Sequence, residues 1–498
     1  MNESGSEGEQ EGASPSVWRY ARATRAHLVV DAADYFEIAR EAMYKARQSV
    51  FLIGWDFDTR IRLAGGRRWW NRARREHYPA RLGAFAVWLV RRRLRVRLRV
   101  LVWNFGAIKF FLRGTMIVDL LRWRKNRGIS IRLDSAHPVG CSHHQKIVTI
   151  DDKVAACGGI DMTGDRWDTP EHRDDDPRRR RPSGRHYGPW HDVTMLMEGD
   201  AANALADLGR ERWRNACGET LLPCRTQAES PWPDRVEAEF ENVEIGISRT
   251  RAAWRDLPEV REIEALFVEQ IARARRFVYA ETQYFASRRI AEAIAHRLAE
   301  PDPPEFLLIN PLSAHGWLEQ TAMDGARVRL LHSVLAHDHA RRFHIFMPYT
   351  AHGAPIYVHA KLTIVDDEVL RVGSANMNNR SMGLDTECDV FLDAARPANA
   401  HIGPAIERIR HRLLAEHCGL EPDDIGGLIE RAGSMAAMIE AAPRHRKRLN
   451  RFELRPLSDA EKALADSSLL DPERPAEIFE PIGRRGLFRR GGILRRPA

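Results

Sequence analysis

Apolar positions recur at helical spacing over residues 35–47 and lead directly into Ser49-Val-Phe-Leu-Ile-Gly-Trp55-Asp-Phe57, a continuous apolar run of strand length. The same succession returns later. Residues 263–275 have the helical pattern, and Arg276-Phe-Val-Tyr-Ala-Glu281-Thr-Gln283-Tyr-Phe285 reads as the strand. Further strands are predicted at 94–102 and 129–133 in the first part of the chain and at 306–309 and 343–346 in the second, with helical patterns between them. This alternation predicts two α/β sandwich halves with mixed, largely parallel sheets. The first half spans 16–235 and the second 236–418, with the break in Glu229-Ser-Pro-Trp-Pro-Asp234. Residues 1–15 read as a disordered acidic lead, and 419–498 as an extension that is helical at 426–442 and then basic.

The two halves repeat at the level of single residues. His144-Gln-Lys146-Ile-Val-Thr-Ile-Asp151-Asp-Lys-Val154-Ala-Ala-Cys-Gly158-Gly-Ile-Asp161 aligns without a gap on His359-Ala-Lys361-Leu-Thr-Ile-Val-Asp366-Asp-Glu-Val369-Leu-Arg-Val-Gly373-Ser-Ala-Asn376. A single H-x-K-x-x-x-x-D match is a weak signal. Two in register, both keeping His and Lys, point to one composite site.

Composition narrows the picture. With 44% hydrophobic residues and 13 Trp among 498 residues, most of the chain can build a core. The net charge of +8 suits an anionic partner without choosing one. Six cysteines without C-x-x-C spacing argue against a zinc ribbon or a disulfide scaffold and read as reduced thiols. No apolar stretch approaches the length of a membrane helix. The lead lacks the basic and apolar regions of an export signal, so a cytoplasmic protein, peripheral at the inner face of a membrane, is expected. Residues 165–188, with Arg178-Arg-Arg-Arg181, read as an exposed, solvated charged loop, and Asp174-Asp-Asp176 as at most a weak cation site.

The motif chemistry suits a phosphodiester. In a strand, residues i and i+2 share a face, so His144 with Lys146 and His359 with Lys361 would point into one pocket. Lysines neutralise the anionic oxygens that repel a nucleophile. One neutral imidazole attacks phosphorus to form a phosphohistidine, and the other, protonated, serves the leaving alkoxide and then the incoming water or alcohol. The ring nitrogen that does not react needs an acceptor, and Asp192 and Glu387, which follow the motifs in strand-like contexts, are the candidates. No metal or cofactor is required, and neither Gly158-Gly159 nor Gly373-Ser374 has phosphate-loop spacing.

At these residues the sequence resembles the phospholipase D superfamily with its paired HKD motifs, in particular the lipid-acting branch. The likeness extends to Gly164-Asp-Arg166-Trp-Asp168, Pro189-Trp-His-Asp192, Glu281-Thr-Gln283-Tyr-Phe285 and Gly373-Ser-Ala-Asn376-Met-Asn378-Asn-Arg380-Ser381, covering residues 16–418. The resemblance implies hydrolysis of a glycerophospholipid to phosphatidic acid and free head group, with transfer to an alcohol as a second outcome. It implies His144 as nucleophile, His359 as general acid and base, Lys146, Lys361 and Asn376 (with Asp161 in the equivalent place) as phosphate ligands, and Asp151 and Asp366 as braces of the motif. Calcium dependence is not expected. The expected partners are a phospholipid at a membrane surface and water or an alcohol, with no nucleic acid, in a monomer holding both motifs in one site. Arg67-Arg-Trp69-Trp70-Asn-Arg-Ala-Arg-Arg75 and the arginine-rich tail would serve as surface anchors. The alternatives are a cardiolipin-synthase-like phosphatidyl transferase, a superfamily nuclease and an inactive lipid-binding scaffold.

Overall fold

The computed structural model describes residues 14–63, 78–105, 113–225, 229–312, 327–328, 330–443 and 447–453. The expected lead up to residue 13, the Arg67–Arg75 anchor and the basic tail from 454 lie outside the described residues.

The first half contributes β1 (Arg19–Val30), α1 (Ala32–Lys45), β2 (Ser49–Gly54), α2 (Leu82–Arg92), β3 (Arg97–Trp103), α3 (Met116–Arg124), β4 (Ile129–Asp134), β5 (Ile147–Ile150), β6 (Val154–Gly158), β7 (Trp190–His191), β8 (Val193–Gly199) and α4 (Asp200–Cys217). The second contributes β9 (Phe240–Arg251), β10 (Val260–Arg261), α5 (Glu262–Arg273), β11 (Phe277–Glu281), α6 (Arg288–Leu298), β12 (Glu305–Ile309), β13 (Phe343–Tyr349), β14 (Tyr357–Val358), β15 (Leu362–Val365), β16 (Val369–Gly373), α7 (Asn379–Gly383), β17 (Glu387–Asp393) and α8 (Gly403–Cys418). After it come α9 (Pro422–Ala432), α10 (Met435–Ala441) and β18 (Arg448–Arg451). The single helix expected at 426–442 is therefore two. Gly433 ends the first in the left-handed region at φ 84°, and the Ser434 side chain caps the second by accepting from the Ala437 N–H.

One sheet runs through both halves in the order β18-β13-β12-β11-β15-β16-β17-β9-β1-β8-β6-β5-β2-β3-β4. Read outward from the central β1–β9 ladder, the two sides match strand for strand apart from β18 at one edge and β10 beside β9, which is the spatial form of the sequence repeat. The sheet is mixed, but parallel pairing is confined to the outer trios β2-β3-β4 and β11-β12-β13. Around the motifs it is antiparallel, because the three-residue connections Asp151-Asp152-Lys153 and Asp366-Asp367-Glu368 fold β5 onto β6 and β15 onto β16 as hairpins.

Strand residues alternate between two cores. Phe51 and Ile53 join the layer shared by α4 and α8, whereas Val50 and Leu52 join the layer under α1, α2 and α3. Covering both faces explains why the strands read as continuous apolar runs.

The charged loop 165–188 is exposed over much of its length, Arg178 and Arg180 included, as expected, but it is also tied down by internal pairs. Arg179 is buried against Asp168, Arg178 pairs with Asp176 at 2.6 Å, and Arg181 pairs with Asp165 at 2.9 Å. Asp174 accepts from Thr350 and His352. These carboxylates are occupied by internal donors, because a buried carboxylate or guanidinium is stable only when paired. Four of the six cysteines are buried, and all six are free thiols. Among the described residues no helix is long and apolar enough to cross a membrane.

Candidate active site

Two short parallel pairings across the halves build the site. β7 pairs with β14, Trp190 against Tyr357 and His191 against Val358, so that the His359 N–H donates to the His191 carbonyl at 2.8 Å. On the other side His143 bridges Thr386, and the His144 N–H donates to the Thr386 carbonyl at 2.9 Å. Each histidine is thereby laid beside the residue that precedes a carboxylate of the opposite half.

The carboxylates are consequently exchanged. His144 Nδ1 lies 3.0 and 3.1 Å from the two oxygens of Glu387, and His359 Nδ1 lies 2.7 Å from Asp192 Oδ2. Asp192 follows the first motif but holds the second motif's ring, and Glu387 does the converse. The environments differ. Glu387 also accepts from the Ser374 and Ser381 hydroxyls, whereas Asp192 accepts from the Val193 N–H and abuts Gly159, where a Cβ would come within 2.0 Å of its Oδ1. Glycine is thus required at 159, and its counterpart is Ser374, whose hydroxyl serves the longer Glu387.

His144 and His359 line one cavity of ≈ 670 Å³ together with Asp161, Asn376, Gln283 and Arg166. Trp55, Trp103, Trp190 and Tyr357 form its aromatic walls. The Trp55 ring meets the His144 ring edge-on at 6.3 Å, and Trp190 lies 5.1 Å from His359. Lys146 Nζ donates to the His144 carbonyl at 2.6 Å and Lys361 Nζ to that of His359, so each ammonium folds back beside its own imidazole. Lys361 also reaches Gln283 Oε1 at 3.3 Å.

Asp161 and Asn376 occupy equivalent places but differ in use. Asp161 Oδ1 accepts from the Trp55 N–H at 3.0 Å, and its Oδ2 stands 3.5 Å from Lys146 Nζ. Among the described residues the buried Asn376 Oδ1 has no hydrogen-bond partner. Asp151 and Asp366 lie outside the cavity, in the hairpin turns at φ 53° and 56°. Asp151 accepts from the N–H groups of Arg47, Gln48 and Ser49, and Asp366 from those of Arg275, Arg276 and Phe277. Each carboxylate ties the motif hairpin to the start of the neighbouring strand.

Electrostatics follow from burial. Burial first, then the Lys146 and Lys361 charges, holds His144 well below the ordinary imidazole range; burial, Lys361 and Arg166 do the same for His359. Burial raises Asp192 to about 7 and Glu387 to about 8, and lowers Lys361 to about 7. Burial disfavours isolated charge in this cavity, so a phosphodiester bringing its own negative charge would restore the charged lysine and imidazole.

Behind His359 lies a cluster that has no linear signature. Asp31, His172, His191 and Glu416, all buried, present donor atoms within 4.8 Å of one another. His172 Nε2 is 3.0 Å from Glu416 Oε1 and 3.7 Å from Asp31 Oδ2, and His191 Nδ1 is 2.8 Å from Glu416 Oε1. The remaining ring nitrogens are held by Asp168 at 3.0 Å and Glu281 at 2.8 Å. These residues could hold a divalent cation with both rings deprotonated, but despite burial the surrounding carboxylates raise His172 to about 9 and His191 well above the ordinary imidazole range, so shared protons compete with a metal there. All four residues are buried, so in either form the cluster's part is structural, fixing the strand that carries Asp192.

A family profile described as phospholipase D matches residues 42–301 and 287–464. The chain is 24% identical over 382 residues to phospholipase D1 of Schizosaccharomyces pombe, covering 57% of this chain and 28% of that protein. It is 23% identical over 465 residues to phospholipase D A of Dictyostelium discoideum, covering 79% and 36%. It is 22% identical over 503 residues to phospholipase D alpha 4 of Arabidopsis thaliana, covering 79% and 65%. The chain therefore spans less than two thirds of the length of each. Among solved structures, phosphatidylserine synthase of Haemophilus influenzae superposes with a TM-score of 0.53 at 11% identity, covering 84% of this chain and 95% of that one, a likeness of fold.

Proposed function

Since the chain belongs to the phospholipase D family, we propose that it is a phosphodiesterase-type enzyme that hydrolyses the distal phosphodiester of glycerophospholipids to phosphatidic acid and free head group. The observation that carries this reading is the pair of imidazoles on one aromatic-walled cavity, each held at Nδ1 by a buried carboxylate of the opposite half.

In the first step His144 Nε2 attacks phosphorus. The N–P bond forms, the bond to the head-group oxygen breaks, and His359 gives its Nε2 proton to that oxygen. In the second step His359 takes a proton from water, whose oxygen displaces His144 and releases phosphatidic acid. An alcohol in place of water yields the transphosphatidylation product. Lys146, Lys361 and Asn376 hold the non-bridging oxygens. Asp161 acts through Lys146 rather than on phosphate, because a carboxylate has no proton to donate and repels the anion. Asp151 and Asp366 keep the hairpins in place.

The test is head-group-resolved turnover of vesicles containing phosphatidylcholine and phosphatidylethanolamine, with and without ethanol. Phosphatidic acid, and phosphatidylethanol when ethanol is present, are expected, together with acid-labile phosphate on His144 during turnover. Absence of both lipid products would overturn the reading. Cleavage of DNA by the same protein would move it to the nuclease branch.

A further inference from the structure

Among the described residues ten large apolar side chains are exposed, and six of them, Phe105, Ile117, Val118, Leu121, Leu133 and Val139, belong to the single stretch 105–139. A soluble surface seldom concentrates apolar groups in this way unless something covers them. Described residues at the start of this stretch border the active-site cavity. Trp103, in its wall, stacks on Trp55 at 5.9 Å and lies 5.5 Å from Phe105. Arg113 also lines the cavity, and α3 begins three residues beyond it. On α3, Met116 and Trp123 are buried and Trp123 donates to the Gly83 carbonyl, which fixes the helix with Val118 and Leu121 outward, 47% and 55% exposed.

Charge selects the occupant. Residues 113–133 carry six basic residues and one acidic residue. The acid, Asp119, is taken up by the Thr59 hydroxyl at 3.0 Å and Arg122 at 3.4 Å. Arg124, Lys125 and Arg127 are exposed on and just beyond α3, whereas Arg132 turns to the other face of the sheet, over Trp213. A second copy of the same face would bring these cations against each other. An anionic bilayer offers apolar depth and phosphates together.

We propose that the outward face of α3, with Phe105, Leu133 and Val139, is the surface by which the protein docks on a membrane containing anionic lipid, holding the cavity mouth against the substrate layer. This deepens the phospholipase reading and rests on it for the substrate, but the docking is measurable by itself. Cosedimentation with vesicles of phosphatidylcholine and phosphatidylglycerol, in a His144→Ala background that leaves the lipid intact, is compared with and without Val118→Asp/Leu121→Asp. The substitutions are expected to weaken binding by about tenfold or more. In the otherwise native chain they are expected to lower vesicle turnover equally while leaving turnover of a monomeric short-chain phosphatidylcholine unchanged. Arg124→Glu/Arg127→Glu, on exposed side chains, is expected to weaken binding to the anionic vesicles and to leave binding to pure phosphatidylcholine unchanged; it decides the matter should the aspartate variant lose its fold. Vesicle binding unaltered by either pair overturns the proposal, as does a shift from dimer to monomer with no vesicle binding in the parent. Failure of the phospholipase reading is a separate result: no turnover of either lipid, with the binding comparison intact.

Discussion

Exchange of carboxylates between the halves makes an unusual prediction for Glu387→Gln and Asp192→Asn. On the proposed mechanism, forming the N–P bond turns His144 into a cationic ring whose Nδ1–H faces Glu387 at 3.0 Å. At that distance, with an effective dielectric constant of about 20, the attraction lost with the carboxylate charge is roughly 5 kcal/mol. This corresponds to about 10⁴-fold in rate, the size of the loss when the carboxylate of a serine-protease triad becomes an amide. Asp192 faces a ring that loses its proton in the same step, so Asp192→Asn should cost about 10²- to 10⁴-fold only where the leaving group needs protonation. Phosphatidyl-p-nitrophenol, whose leaving group needs none, separates the two by stopped flow. Asp192→Asn should release a burst of p-nitrophenolate equal to the enzyme and then turn over slowly, because His359 cannot activate water. Glu387→Gln should show no burst. A burst in Glu387→Gln with none in Asp192→Asn would reverse the histidine roles, and equal losses in both would refute the division of labour.

The remaining predictions use the same site. Lys361 has its ordinary value lowered to about 7 by burial, so its charge is present below that pH and lost above it; kcat/KM should fall about tenfold per unit above pH 7, and Lys361→Arg, whose charge persists, should remove that component of the fall in a pH–rate profile. Asp366→Ala leaves three backbone N–H donors without their acceptor and should cost roughly 3–5 kcal/mol in chemical denaturation, with Asp366→Asn costing less. Chelation followed by readdition of a divalent cation should lower and restore Tm, and His172→Ala should abolish the response; an invariant Tm would show the buried donors to be a proton-sharing network instead.

How far the sequence discloses this arrangement depends on register. The motifs share an offset of 215 because the β5–β6 and β15–β16 hairpins are the same length and close with the same aspartate turn. The orienting carboxylates sit 195 apart, since the first half spends twenty more residues between motif and carboxylate, and that extra length falls around the charged loop 165–188. Asp192 and Glu387 could be singled out by residue type, yet nothing along the chain says that each crosses to the other ring. The loop misleads at Arg179 for a related reason. Four consecutive arginines read as solvated because the sequence does not show Asp168 waiting for Arg179. The buried cluster escapes notice altogether, its donors being drawn from positions 31, 172, 191 and 416 with no repeating interval.

The surroundings of the two imidazoles are also unequal, and the loop contributes to this on one side only. A strictly symmetric pair would give both rings the same field and leave no basis for dividing attack from proton transfer. Here Glu387 has two serine hydroxyls on its oxygens, which stabilise its charged form opposite His144. Asp192 lacks such hydroxyls and instead lies beside His191, whose ring is fixed through Glu416 and Glu281, while Asp31 Oδ1 accepts from the Asp192 N–H. Loop residue His172 completes that support through Asp168 and Glu416. The duplicated fold therefore supplies two equivalent histidines, and the serines on Glu387 and the cluster behind Asp192 make the surroundings of one carboxylate differ from those of the other. On the proposed mechanism the separation of nucleophile from acid rests on this difference, so substitution of the loop residue His172, which supports Asp192 and not Glu387, should alter proton delivery before it alters formation of the N–P bond.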